Sequence, residues 1–138
     1  MTAKILQATK SHSVLIWFCG LSSPELHIAR VAARVAAGGH PIPEEKIRER
    51  YSPAQMNLIE LMPHVAYIKV YDNSEEAAAD GTVPDPILVL EMQNGQVTLP
   101  APDDLNTLQR APEWTKSIVE AALRGSANSI VHQPTPAT

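Results

Sequence analysis

Four of the six arginines in this 138-residue chain fall within Leu26 to Tyr51, LHIARVAARVAAGGHPIPEEKIRERY: Arg30, Arg34, Arg48 and Arg50. Two precede a Gly38-Gly39 pair and two follow it. The planar guanidinium fork matches phosphate and carboxylate oxygens two at a time, so converging arginines make an anion site. Arg30 and Arg34 are spaced i,i+4 and share a helix face. From His27 to Tyr51 five basic residues face three acidic ones, a local excess of +2 in a chain of net charge -4. The competing interpretation is ordinary solvated charge on surface helices, which such spacings also produce.

The elements that must position these side chains can be read around them. Ser13 to Leu21 is a continuous apolar run, VLIWFCGL at its centre. Its length and β-branched content predict a strand buried on both faces, as in parallel sheets. Ser23-Pro24-Glu25 predicts a helix start, with Ser as cap, Pro in the first turn and an acid at the positive end. Leu26, Ile28, Val31 and Val35 give that helix one apolar face. Gly38-Gly39 stops it. Pro41 and Pro43 stiffen the connection. A second helix is expected from Pro43 to Tyr51, and a third from the Ser52 cap and Pro53, with Met56, Leu58, Ile59 and Met62 in the core.

Ala66 to Val70 reads as another strand. The Asp72-Asn73-Ser74 turn would sit at its carboxyl end, where open α/β sheets bind ligands. Glu75 to Pro86 is an acidic loop. Asn94-Gly95 between Ile87–Met92 and Gln96–Leu99 predicts a hairpin. Pro100 to Leu108 reads as a linker. A last helix is expected from Pro112-Glu113-Trp114, with Trp114, Ile118, Val119 and Leu123 inward. Ser126 to Thr138 carries no core pattern and reads as a loose tail.

Composition narrows the function classes. An acidic balance, with pI about 5.7, argues against a general nucleic-acid binder. Ile42 to Met62 has helix-turn-helix proportions, but Glu44, Glu45, Glu49 and Glu60 oppose a phosphate backbone. The five histidines (12, 27, 40, 64 and 132) are scattered, and no H-E-x-x-H motif occurs, so no metal site is expected. The longest apolar run is too short for a membrane span. One cysteine, Cys19, allows no internal disulfide and points to a reducing, cytoplasmic setting.

Several of these residues together resemble a known family. Gly20-Leu21-x-Ser23-Pro24-Glu25-Leu26-x-x-Ala29-Arg30-Val31 and Arg34-Val35-x-x-Gly38-Gly39-His40-x-Ile42-Pro43 are similar to the second half of the zeta-toxin-like P-loop proteins, also described as ABC-type ATPases. Ile47-Arg48-x-Arg50-Tyr51, Asn57-Leu58 and Val70-Tyr71-Asp72-Asn73-Ser74 continue the likeness in order. It covers about Ser13 to Ser74, with a looser echo at Glu113-Trp114.

The resemblance implies an α/β, adenylate-kinase-like domain over residues 1–124. It would have a parallel sheet, a helical lid at about 30–51 and a C-terminal β-hairpin and helix, followed by a tail at 125–138. It implies ATP with Mg²⁺ as cofactor and γ-phosphoryl transfer as chemistry. Arg30, Arg34, Arg48 and Arg50 would neutralise the transferred group, and Asp72, Asn73 and Ser74 would lie beside the adenine. The toxins themselves phosphorylate UDP-N-acetylglucosamine.

One departure is large. A phosphate loop needs G-x-x-x-x-G-K-[ST], and here no glycine precedes a lysine. The resemblance therefore implies the lid and C-terminal half of such an enzyme, inactive alone. The alternative is a non-catalytic α/β interaction module that pairs with a P-loop-bearing chain or an antitoxin.

Overall fold

A computed structural model describes residues 2–101 and 103–131. The chain forms α1 (Thr2–Thr9), β1 (Leu15–Gly20), α2 (Pro24–Ala36), α3 (Glu44–Leu61), β2 (Tyr67–Asp72), β3 (Ile87–Gln93), β4 (Gln96–Leu99), α4 (Leu105–Arg110), a 3-10 turn at Glu113–Thr115 and α5 (Lys116–Val131). The architecture is α/β. The sheet is mixed rather than parallel throughout: its order is β1-β2-β3-β4, with β1 parallel to β2 and the other pairs antiparallel. The α2–α3 hairpin is the crossover that a parallel β1–β2 pair requires. The β1–β2 register runs from Leu15 opposite Tyr67 to Gly20 opposite Asp72, so both strands end at the same level.

The core lies on one face of this sheet. Leu58 and Leu61 of α3, and Met62 just after it, meet Ile68 and Val70 of β2, Leu90 and Met92 of β3, and Trp114, Ile118, Val119 and Ala122 from the C-terminal elements. The opposite face is open at β1, where Leu15 and Trp17 are 64% and 72% exposed. The expectation of a strand buried on both faces is therefore corrected. Burial alternates along β1, because all the helical packing falls on the Ile16 and Phe18 side. Lys69 lies 5.8 Å from the Trp17 ring centroid and 5.7 Å from that of Tyr67, within cation–π range.

Two further expectations change. Ser52-Pro53 does not start a new helix; α3 runs unbroken through Pro53. The missing N–H would have bonded the Glu49 carbonyl, and both residues are exposed, so water can satisfy that oxygen and the usual penalty of about 3 kcal/mol shrinks. The continuous helix turns Met56 outward, to 66% exposure, while Leu58 and Met62 stay in the core.

At the other end, residues 125–131 belong to α5 instead of a tail. Ser126 is buried; its Oγ accepts from the Val97 N–H at 3.2 Å and donates to Gln96 Oε1 at 3.0 Å. Docking on β4 carries the helix past Gly125 despite that residue's poor propensity. Residues 132–138 of the expected tail lie outside the described residues.

The Asn94-Gly95 hairpin forms as expected, with positive φ at both positions (48° and 80°), the signature of a type I′ turn. Residues 73–86 carry no helix or strand, as expected for the acidic loop. α4 occupies part of the expected linker, capped by Asp104, which accepts from the Thr107 N–H.

Candidate functional site

The carboxyl ends of β1 and β2 open into a cavity of about 760 Å³. Two helical stripes form its walls. α2 contributes His27, Arg30, Ala33 and Arg34, and α3 contributes Lys46, Ile47, Arg50, Tyr51, Ala54 and Gln55. Both stripes follow the three-and-four spacing of one helix face. The floor is the end of β1, Phe18 to Leu21, with Trp114 behind it.

Local sequence explains the V of the two helices. Ser23 Oγ accepts from the Leu26 N–H at 3.1 Å, and Pro24 follows at the first position, so α2 starts directly after β1. At the tip, Gly38 adopts φ +102°, which a side chain would strain. A Cβ on Gly39 would lie 2.9 Å from the Arg34 carbonyl oxygen. The Gly39 N–H closes the helix end on that same oxygen at 2.7 Å.

Hydrogen bonds hold the inner end of the V to the sheet. Tyr51 Oη donates to the Leu21 carbonyl at 2.8 Å. Arg30 donates to the Asn73 carbonyl through one nitrogen and to the Glu75 carbonyl, at 2.9 Å, through the other. The Ser22 N–H donates to Ser74 Oγ at 2.8 Å, and Ser74 in turn donates to Asp72 Oδ1. Trp114 Nε1 donates to the same carboxylate oxygen at 3.0 Å. The rim of the Trp114 ring lies against Gly20, where any Cβ would meet Cη2 at 2.3 Å.

The four sequence-selected arginines therefore separate. Arg30, Arg34 and Arg50 line one cavity. Arg48 does not; it pairs with Glu25 at 2.7 Å on an exposed surface. Two residues along a helix rotate a side chain by about 200°, so Arg48 and Arg50 cannot share a face. Arg30 is engaged by backbone carbonyls and acts as a clamp between α2 and the loop after β2. Asn73 lines the cavity, whereas Asp72 and Ser74 brace β1, β2 and Trp114.

Lys46 lines the cavity as well, although the arginine pattern does not select it. Spacing carries a signal for it: Lys46 and Arg50 repeat on α3 the i,i+4 spacing of Arg30 and Arg34 on α2. Phe18, Tyr51 and Trp114 come from segments far apart in sequence, and no local pattern gathers them.

Electrostatically the cavity is one-sided. Arg30, Arg34, Lys46 and Arg50 line it, with His27, and among the described residues no Asp or Glu does. Arg34, Lys46 and Arg50 are exposed at the rim and make no ion pair within the described residues. Burial pushes the Cys19 thiol up, against a smaller opposing pull from Arg30, so it stays a neutral thiol at physiological pH. Burial also raises the Tyr51 phenol, which keeps it protonated as the donor to Leu21. Among the described residues no group of three His, Cys, Asp or Glu side chains could hold a metal ion.

No protein-family model, curated protein or solved structure matches this chain.

Proposed function

We propose that this chain binds a nucleoside phosphate, with ATP as the reference ligand, in the cavity between α2 and α3. The observation that carries the reading is the convergence of Arg34, Lys46 and Arg50 on one cavity with no carboxylate in its lining. Unpaired cations at the rim of a cleft that excludes acids attract polyanions and slow their release. The position fits as well, since crevices beyond the carboxyl ends of parallel strands are where α/β sheets take ligands. The resemblance to the lid of zeta-toxin-like P-loop proteins supports ATP over other phosphates, and it supports a P-loop-kinase-like ancestry for β1, α2, α3 and β2.

The lining residues fit the phosphates but not Mg²⁺. That ion prefers carboxylate and water oxygens, and the cavity offers guanidinium, ammonium and amide groups instead. On this reading Arg34 and Arg50 hold phosphate oxygens, Lys46 adds a point charge, and Arg30 fixes the wall that aligns them. No step of phosphoryl transfer follows from these residues alone. They could stabilise charge on a phosphoryl group, but no glycine-rich nucleotide-cradling loop accompanies them among the described residues. Pairing with a P-loop-bearing chain or an antitoxin is the second reading. It is favoured by the open face of β1 with Trp17 and Leu15 upon it, which is unusual for a parallel pair.

Isothermal titration with ATP tests the first reading. Arg34→Ala and Arg50→Ala should each weaken binding roughly five- to tenfold, as expected for one charge-assisted hydrogen bond. Arg48→Ala should change it less than twofold. Equal losses from all three variants, or from none, would contradict the assignment.

A further inference from the structure

We infer that the cavity takes its ligand ring first, so that a planar aromatic group sits on Phe18, Tyr51 and Trp114 while the phosphates stay at the rim. This rests on the anion-binding reading and adds a direction to it, together with a preference for a phosphate ester of a flat ring over inorganic polyphosphate.

The two helices run in opposite directions through the V, and both place their free cations outward. Arg34 lies in the last turn of α2 and Lys46 in the first turn of α3, beside the Gly38-Gly39 tip. Arg50 follows one turn inward. The aromatic side chains lie at the sheet end. Phe18 is the β1 residue two before Gly20, and Trp114 covers Gly20. Their rings are tilted by 36° with centroids 6.3 Å apart. Tyr51 is anchored on the Leu21 carbonyl.

From Lys46 to Ala54, α3 rises about 12 Å at its standard pitch, room for a ring and a sugar between the aromatic floor and the outer cations. A phosphate pushed to the floor would meet aromatic and aliphatic carbon and the neutral amides of Asn73 and Gln55, with Arg30 already engaged by two carbonyls. Desolvating a multiply charged anion there is strongly unfavourable. A flat ring placed there instead gains apolar burial and stacking.

The test uses the full chain carrying Trp17→Phe, which removes the exposed indole and leaves Trp114 as the only fluorophore of its kind. ATP and inorganic tripolyphosphate are titrated separately. The expected result is that ATP changes Trp114 emission on saturation and binds at least tenfold tighter than tripolyphosphate, despite carrying less charge. Ala54→Leu adds bulk to the α3 wall at an uncharged lining position one turn inward of Arg50; it should weaken ATP at least tenfold and leave tripolyphosphate within twofold. Circular dichroism confirms that each variant is folded.

Equal affinities for the two probes, or equal losses of both in Ala54→Leu, would overturn the ring-first inference and leave the anion site standing. Binding of neither probe would overturn the site itself, and the inference with it.

Discussion

At the scale of single residues, what matters is which charges are free. Arg30, Arg34, Arg48 and Arg50 look equivalent in the sequence, yet of the four, Arg34 and Arg50 reach the cavity without an ion pair among the described residues, while carbonyls engage Arg30 and Glu25 engages Arg48. Spacing could have shown part of this. Arg34 and Lys46 flank the glycine turn, and Lys46 and Arg50 share a face, whereas Arg48 falls on another. The clamp made by Arg30 was not legible, because its acceptors are the backbone carbonyls of Asn73 and Glu75, more than forty positions away. With three free cations and no carboxylate, the cavity should prefer the more highly charged metal-free nucleotide. ATP titrated in excess EDTA is expected to bind at least as tightly as ATP with saturating Mg²⁺ at equal ionic strength. A preference of tenfold or more for the magnesium complex would contradict the electrostatic account.

Between elements, the junctions set the geometry. Position 20, the last of β1, is glycine because Trp114 takes the space a side chain would need. Gly20→Ala should therefore cost about 1–3 kcal/mol in chemical denaturation, as overpacking does, while Trp17→Phe on the open face should cost under about 0.5 kcal/mol. A Gly20→Ala protein as stable as the parent would mean that Trp114 does not pin the strand end. Helix starts were largely legible, since Ser23-Pro24 and the Asn94-Gly95 hairpin act through local chemistry. Helix continuation was not. Pro53 reads as a start, but its orphaned carbonyl faces water, and the burial of Leu58 and Leu61 holds α3 together across it. Gly125 and Ser126 read as a tail because the receptor for Ser126, the Gln96–Val97 edge of β4, is a tertiary feature. The period of β1 was misread for a similar reason: an unalternating apolar run says nothing about whether a second layer exists to cover it.

For the whole molecule, the sheet is covered on one face and the charge is segregated, with cations in the α2–α3 cleft of an acidic chain. Stability should respond to pH at both ends. Glu25, Asp80, Glu91 and Asp104 are each held below the usual carboxylate range, by hydrogen bonds from Arg48, Thr82, Thr98 and Thr107 respectively. Their depressed folded values contribute stability that is present above the unfolded range and is lost as pH falls through the folded values, below about pH 4. The Cys19 thiol and the Tyr51 and Tyr67 phenols are raised by burial, so the unfolded groups ionise first and stability falls as pH rises beyond about 8.5 for the thiol and about 10 for the phenols. Unfolding free energy should be flat between those limits, with shallow losses because the carboxylates are exposed; a maximum within the neutral range would contradict this. The central claim is that the cleft between α2 and α3 is the ligand site, and amide chemical-shift mapping of the labelled chain during ATP titration tests it most directly. Saturable shifts should concentrate at Arg34, Lys46, Arg50 and Tyr51, with Trp17 and Lys69 on the open face unmoved. Shifts confined to that open face, or none at millimolar ATP, would contradict it.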